Sequence, residues 1–103
     1  KDNGGKTYGD IYKRQEKEFS AYNFLYANTN SLIKNFKDAE IECNYLLSKD
    51  LAMPAYDQCL KASHIFNLLD SRGVIGVAQR TEYISRIREL AKGSGKIWLE
   101  TQK

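Results

Sequence analysis

The feature that most constrains this chain is the recurrence of apolar residues at helical spacing along most of its length. Between residues 29 and 48 the apolar positions follow one another at steps of four and three, and similar spacing returns in two later segments. This spacing places apolar side chains on one face of an α-helix, whereas a half-buried strand alternates every second residue. One proline in 103 residues leaves few points where a helix must stop. The expected fold class is therefore all-α.

Capping and turn residues divide this pattern into about four helices, which implies a small helical bundle. Asn28 and its two neighbours supply capping oxygens for a second helix, and Pro54 suits the first turn of a third. Gly73 suits the left-handed conformation that ends a helix. Phe24 and Tyr26 also alternate as they would in a strand, so the pattern is mixed near the end of the first helix. The predicted helices cover 10–26, 29–48, 54–72 and 77–100.

Each predicted helix has one apolar face that we expect to be buried. The faces are Ile11, Gln15, Phe19, Tyr22 and Tyr26; Leu32, Phe36, Ala39, Cys43 and Leu46; Tyr56, Cys59, Leu60, Ser63, Phe66 and Leu69; and Val77, Ile84, Ile87, Ala91, Ser94 and Trp98. Arg80 falls on the last of these faces, and a charge there needs a partner. Asp70, at the end of the preceding helix, is the expected partner, so Asp70 and Arg80 are predicted to form a structural ion pair.

Length and composition predict one domain with a modest core. Residues 1–9 carry three glycines and no apolar period, which is typical of a linker or a truncated edge. The net charge of +3 is too small for a strong nucleic-acid footprint. No run of about eighteen apolar residues is present for a membrane span, and the N-terminus lacks the apolar core of a signal peptide. Cys43 and Cys59 are expected to be reduced thiols that act as small apolar groups in a cytoplasmic protein.

The residues that could carry chemistry form no catalytic set. His64 is the only histidine and no Cys-x-x-Cys pair occurs, so a zinc site lacks ligands. Cys59 and His64 are five residues apart and point to different sides of a helix. We therefore predict no catalytic, cofactor-binding or metal-binding residues in this chain.

Basic residues on the last predicted helix suggest a binding surface instead. Arg88, Lys92 and Lys96 recur every four positions and line one side of that helix. Such a stripe is a candidate contact for RNA phosphate or a protein partner. It is also what the solvated side of an amphipathic helix looks like, and Glu89 and Glu100 dilute its field. Both interpretations stay open at this point.

Several blocks of the sequence match one family in order and in register. The blocks are Thr7-Tyr8-Gly9-Asp10, Tyr22-Asn23-Phe24, Pro54-Ala55-Tyr56, the run Lys61-Ala62-Ser63-His64 with Phe66-Asn67-Leu68-Leu69-Asp70 and Arg72, and Tyr83-Ile84 with Arg86-Ile87-Arg88. Together they resemble the C-terminal region of the alpha subunit of the bacterial two-subunit glycyl-tRNA synthetase. The resemblance spans residues 7 to about 98 and is more specific than a generic helical pattern.

This resemblance implies a parent enzyme, a class II glycine-tRNA ligase that activates glycine with ATP and Mg²⁺ and transfers it to tRNA. Residues 10–103 are then expected to be the C-terminal helical domain of a longer subunit, inactive alone and without a cofactor of its own. The implied partners are the beta subunit, a second alpha subunit and tRNA(Gly), in the cytoplasm, with no membrane. An independent helical adaptor or RNA-binding module is the alternative.

The sequence also departs from the family pattern at several positions. Gly76 stands at the usual serine cap of the last helix, with Gln79 as the expected capping-box partner. Gly93 and Gly95 stand where the family favours alanine. Each glycine inside a helix costs about 1 kcal/mol relative to alanine. We therefore predict that the last helix frays or kinks beyond Lys92.

Overall fold

The computed structural model describes residues 8–21 and 28–102. Over this part of the chain the secondary structure consists of four α-helices and contains no strand. The helices are α1 (Tyr8–Ala21), α2 (Thr29–Ser48), α3 (Ala52–Ser71) and α4 (Val77–Glu100). The prediction of a small all-α bundle is confirmed. None of these helices is long and apolar enough to cross a membrane.

Two of the predicted helix boundaries are displaced. α1 begins at Tyr8, two residues before the predicted start, and ends at Ala21. The predicted continuation to residue 26 lies outside the described residues. α3 begins at Ala52 rather than Pro54. Pro54 still lies in the first turn, where backbone N–H groups have no acceptor within the helix and the missing proton costs nothing.

The residues predicted to cap the helices do so. Asn28 Oδ1 accepts a hydrogen bond from the backbone N–H of Ser31 at 3.0 Å, which satisfies one free donor at the start of α2. Gly73 follows the end of α3 with φ at +69°, in the left-handed region. Gln79 Oε1 accepts from the Gly76 N–H at 3.1 Å, the reciprocal half of a capping box.

α3 is the middle helix of the bundle and packs against both α2 and α4, whereas α2 and α4 meet over a smaller area. Two groups of buried residues form the core. The larger contains Phe36, Ala39, Cys43, Ala55, Cys59, Ala62, Phe66 and Leu90, and the smaller contains Leu32, Leu68 and Leu69. The predicted buried face of α2 is thus confirmed, although Leu46 is only partly buried.

The predicted faces of α3 and α4 need correction. On α3, Cys59, Phe66 and Leu69 are buried as predicted, whereas Tyr56 and Leu60 are 44% and 50% exposed. Ala55 and Ala62 are buried in their place. A helix that packs closely on two neighbours has room only for short side chains along the contact. On α4, Val77 and Trp98 are likewise exposed, and the buried positions are Leu90 and Ser94. Arg80, predicted to lie on that apolar face, is exposed as well.

The prediction of a frayed or kinked helix beyond Lys92 is wrong. α4 continues as a helix to Glu100. A Cβ atom added to Gly93 would lie 2.9 Å from Leu47 Cδ1, so the end of the Leu47 side chain of α2 occupies the space beside this glycine. Gly95 has nothing within 4 Å of such an atom. Tertiary packing thus outweighs the low helix propensity of glycine here.

α1 differs from the other helices because its apolar side chains remain accessible. Ile11, Tyr12 and Phe19 are all exposed. Within the described residues, α1 packs against none of α2, α3 and α4. The remaining apolar positions predicted for this helix, Tyr22 and Tyr26, lie outside the part of the chain that the structure describes.

Candidate interaction site

The side chains that could ligate a metal or act as nucleophiles are His64, Cys43, Cys59 and the carboxylates. Across residues 8–21 and 28–102, no three His, Cys, Asp or Glu residues come together as a metal site would require. His64 is exposed. Cys43 and Cys59 are free and buried in the core. Burial raises the pKa of both thiols, so they remain protonated and behave as apolar packing groups.

The strongest polar contact between helices joins Glu40 of α2 to Arg86 of α4. Arg86 Nη2 donates to Glu40 Oε1 at 2.6 Å and Arg86 Nε donates to Oε2 at 2.9 Å. This is a bidentate pair of charge-assisted hydrogen bonds, the arrangement that the planar guanidinium favours. Both side chains are mostly buried, with 17% of Glu40 and 30% of Arg86 exposed. The pair therefore links α2 directly to α4, next to the edge-to-face contact between Phe36 and Tyr83, whose ring centroids are 4.8 Å apart.

Two aromatic rings hold the guanidinium of Arg86 in place. Its Cζ atom lies 4.8 Å from the centroid of Phe36 and 5.2 Å from that of Tyr83. These distances suit cation–π attraction. The hydrogen bonds from Arg86 lower the pKa of Glu40, and the same bonds raise the pKa of Arg86. Both groups are therefore charged at neutral pH.

Sequence reasoning missed this pair, although a signal for it exists. Arg86 follows Tyr83 by three residues and precedes Leu90 by four, so it stands on the buried side of α4. A cation at such a position needs a carboxylate from another helix. The sequence alone offers several acidic residues on α2 and does not distinguish Glu40 from its neighbours.

The predicted residues Asp70 and Arg80 are in contact across the turn between α3 and α4. Arg80 Nε and Nη2 donate to Asp70 Oδ1 at 3.0 and 2.8 Å. Their side chains are 35% and 45% exposed, respectively. Solvent screens such a pair, so its contribution to stability is at most about 1 kcal/mol.

The three basic residues predicted as a binding surface, Arg88, Lys92 and Lys96, are all exposed on α4. We call them the basic stripe. Lys92 directly follows Ala91 and Lys96 directly follows Gly95. Ala91 and Gly95 line a groove between α3 and α4. Because successive helical residues are about 100° apart, Lys92 and Lys96 point to a different side of α4 from the groove-lining residues that they follow.

This groove, which we call the apolar groove, encloses about 370 Å³. Met53 and Trp98 are 66% and 45% exposed, and both contribute to it together with Tyr56. The hydroxyl of Ser94 is satisfied inside α4, because it donates to the Leu90 carbonyl at 2.8 Å. The lining residues are Ala52, Met53, Tyr56, Ala91, Ser94, Gly95 and Trp98. Sequence reasoning missed the groove because it placed Tyr56 and Trp98 in the core.

A wider groove between α2 and α3 has a different character. It encloses about 680 Å³ and carries carboxylates, a lysine and the only histidine. Its charged and polar residues are Asn35, Asp38, Glu42, Asp57, Gln58, Lys61 and His64. Because charges of both signs line this groove, its electrostatics do not favour a ligand of one charge.

Taken together, these features define a small helical bundle with exposed grooves, in which the described residues form no cluster of three His, Cys, Asp or Glu side chains that could hold a metal ion. The chain matches the family model of the glycyl-tRNA synthetase alpha subunit over residues 1–103. It therefore belongs to the glycyl-tRNA synthetase alpha-subunit family, as its sequence blocks indicate. Membership of this family supports a role in tRNA charging as part of an aminoacyl-tRNA ligase, in a family whose alpha subunits assemble with beta subunits.

Proposed function

We propose that residues 10–103 form the C-terminal helical domain of a longer alpha subunit of glycine-tRNA ligase. In this proposal the domain braces the catalytic domain and contacts the beta subunit or tRNA, and residues 1–9 connect it to the rest of the subunit. The observation that carries the proposal is the match of the whole chain to the family model, in a chain whose described residues fold as an all-α bundle. The exposed apolar residues of α1 and of the apolar groove support a role in contacts.

ATP and Mg²⁺ belong, in this proposal, to the catalytic domain of the parent. Two observations on the described residues support this division of roles. The carboxylates form no cluster that would hold a cation. Gly93 and Gly95 lie inside α4 rather than in a phosphate-binding loop between a strand and a helix. The functional unit is proposed to be a cytoplasmic assembly of two alpha subunits with beta subunits that charges tRNA(Gly).

The exchange of pyrophosphate into ATP that depends on glycine tests this division of roles. The 103-residue chain is expected to show no exchange above background, alone or with the beta subunit. A full-length alpha subunit with its beta subunit should show exchange under the same conditions. Glycine-dependent exchange by the 103-residue chain itself would overturn the proposal.

An independent RNA-binding module is the second candidate function, and the exposed basic stripe favours it. Three cations that contact phosphate predict a slope of about −2 to −3 in a plot of log affinity against log salt concentration. Filter binding of tRNA(Gly) to the chain from 50 to 300 mM salt measures that slope. Micromolar binding that prefers tRNA(Gly) would favour this function, whereas equal binding of any RNA would contradict it.

A further inference from the structure

The two cysteines of the chain occupy one core cluster on neighbouring helices. Cys43 lies on α2 and Cys59 on α3, and both are free and buried. Among the described residues, α2 and α3 form the most extensive contact between helices. Each thiol therefore lies on the inward side of its helix, and the proposed function uses neither of them.

The position of each cysteine along its helix brings the two to a similar level. Three residues join the end of α2 at Ser48 to the start of α3 at Ala52, and two helices in contact with so short a connection run antiparallel. Cys43 precedes the end of α2 by five residues, and Cys59 follows the start of α3 by seven. At a rise of about 1.5 Å per residue, the two Cα atoms differ by about 3 Å in height along the helix pair.

Short side chains let these two helices approach closely. Ala39 of α2 and Ala55 and Ala62 of α3 belong to the same core cluster as the two cysteines. Helices that meet through such small residues have axes about 8 Å apart, at the short end of the usual range. Because each Cα atom lies about 2.3 Å from its helix axis, facing Cα atoms about 3 Å apart in height are separated by roughly 4–6 Å. A disulfide requires a Cα separation of about 4.4–6.8 Å, so the two cysteines are within reach of a bridge.

Both sulfur atoms also point towards the same part of α4. Cys43 Sγ lies 3.9 Å from Ser94 Oγ, and Cys59 Sγ lies 3.8 Å from the carbonyl oxygen of Ile87. Ser94 Oγ donates to the carbonyl oxygen of Leu90, and Leu90 follows Ile87 by less than one helical turn. Burial, and after it the proximity of Cys43, raises the pKa of the Cys59 thiol. The two thiols thus meet where three helices join.

We propose that Cys43 and Cys59 are a redox modification site, which a hydroperoxide oxidises to a reversible disulfide between α2 and α3. One thiolate attacks the O–O bond of hydrogen peroxide, displaces hydroxide and becomes a sulfenic acid. The second thiolate then attacks that sulfur, the S–O bond breaks, and the departing hydroxide takes up a proton to form water. In total the two thiols lose two electrons and two protons, and the peroxide is reduced to two molecules of water.

Burial controls the rate of this oxidation. The thiolate is the reactive form, and burial raises the pKa of both thiols. Oxidation therefore proceeds when the bundle opens, and the bridge is retained when the bundle closes, because the spacing of α2 and α3 accommodates it. Disulfides in cytosolic proteins are usually transient and serve catalysis or redox sensing. The site lies in the core, so its test does not depend on the proposed function.

Treatment of the 103-residue chain with hydrogen peroxide tests the proposal. Intact mass spectrometry is expected to show a monomer that has lost two hydrogen atoms, and peptide mapping without reductant should link Cys43 to Cys59. Dithiothreitol should reverse the change. The oxidised monomer should melt at least about 5 °C above the reduced chain, because a bridge that closes a loop of about 15 residues restricts the unfolded state.

A displaced thiol provides the matched control. Cys59→Ala combined with Leu60→Cys keeps two cysteines at nearly the same sequence separation but moves one thiol to an exposed position of α3. In this variant, a bridge to Cys43 does not fit the closed bundle, so oxidation should give linked dimers or a monomer that melts below its reduced form. Cys43→Ala alone should form no bridge within one chain. Circular dichroism checks that each reduced variant folds.

Three results would overturn the proposal. The first is a bridged wild-type monomer that melts below the reduced chain, which would show that the native spacing does not accommodate the bond. The second is wild-type chain that peroxide converts only to linked dimers or to sulfinic acid. The third is an equal gain in melting temperature for the wild type and the Cys59→Ala, Leu60→Cys variant, which would show that the positions of the native thiols are not special.

Discussion

The ion pair between Glu40 and Arg86 allows a quantitative test of what holds α2 against α4. Glu40→Gln removes the charge and keeps the shape of the side chain, and Arg86→Met keeps the stem over Phe36 while it removes the guanidinium. The two single variants and the double variant form a double-mutant cycle. Its coupling free energy isolates the pair from the separate cost of each substitution.

The size of the coupling follows from burial and geometry. Exposed ion pairs contribute about 0.2–1 kcal/mol, and removal of one partner from a fully buried pair costs about 3–5 kcal/mol. This pair lies between those limits, with two short bonds at 2.6 and 2.9 Å and 17% and 30% of its side chains exposed. We therefore expect a coupling of about 2 kcal/mol at pH 7. In a domain of roughly 100 residues that corresponds to about 10 °C in Tm.

The same pair predicts how stability varies with pH. Hydrogen bonds from Arg86 lower the folded-state pKa of Glu40 below its usual value of 4.5. A carboxylate with a lowered pKa stabilises the fold fully above its unfolded-state pKa, and that stabilisation is lost as pH falls through the folded-state pKa. Arg86 keeps its charge throughout. The difference in unfolding free energy between wild type and Glu40→Gln should thus be largest at pH 7 and shrink below about pH 4.5.

Urea unfolding followed by circular dichroism at 222 nm, at pH 7 and again at pH 3, measures both quantities. Glu42→Gln is the control, because Glu42 is an exposed carboxylate on the same helix. It should change the unfolding free energy by less than about 0.5 kcal/mol. A coupling below about 0.5 kcal/mol, or an equal wild-type advantage over Glu40→Gln at pH 7 and pH 3, would refute the reasoning.

Four further predictions concern packing in the bundle. Gly95→Ala should stabilise the protein by about 1 kcal/mol, since alanine favours the helix and meets nothing within 4 Å. Gly93→Ala should gain less, because its methyl group lies 2.9 Å from a Leu47 methyl that must move; an equal gain by thermal melting would contradict this. Leu69→Ala, at a fully buried position, should cost about 2–5 kcal/mol in urea unfolding, and a cost under 1 kcal/mol would refute the assigned core. Cys43 and Cys59 should react with a thiol reagent only at the rate of unfolding, and fast reaction in the native protein would contradict their burial.

Local signals in the sequence predicted the elements well, because caps and turns act over a few residues. Asn28, Gly73 and Gln79 each serve as predicted, with side chains or dihedral angles that depend only on neighbours in the chain. The spacing of apolar residues on α2 was likewise sufficient, because that helix has a single buried face. Asp70 and Arg80, close in sequence across one turn, could also be paired in advance.

Features that depend on the mutual arrangement of helices could not be predicted in the same way. The middle helix α3 has small residues on its buried side, so hydrophobicity alone ranked Tyr56 and Leu60 above Ala55 and Ala62. The sequence alone predicts that Gly93 weakens the helix, because nothing in it shows that Leu47 of α2 packs against this position. The Glu40–Arg86 pair joins residues 46 positions apart. The apolar groove could not be predicted from the sequence for the same reason, since residues of both α3 and α4 line it.

The distribution of large side chains links the fold to the proposed role. The contact between α3 and its neighbours is made largely by short residues such as Ala55, Cys59 and Ala62. Large apolar side chains at Met53, Tyr56 and Trp98 lie outside that contact, on the same side of the bundle. The exposed part of these side chains does not stabilise the domain itself, because apolar area that stays in water contributes no hydrophobic free energy. Their exposure on one side of the bundle is accounted for when a partner covers them, as the proposed role in contacts requires.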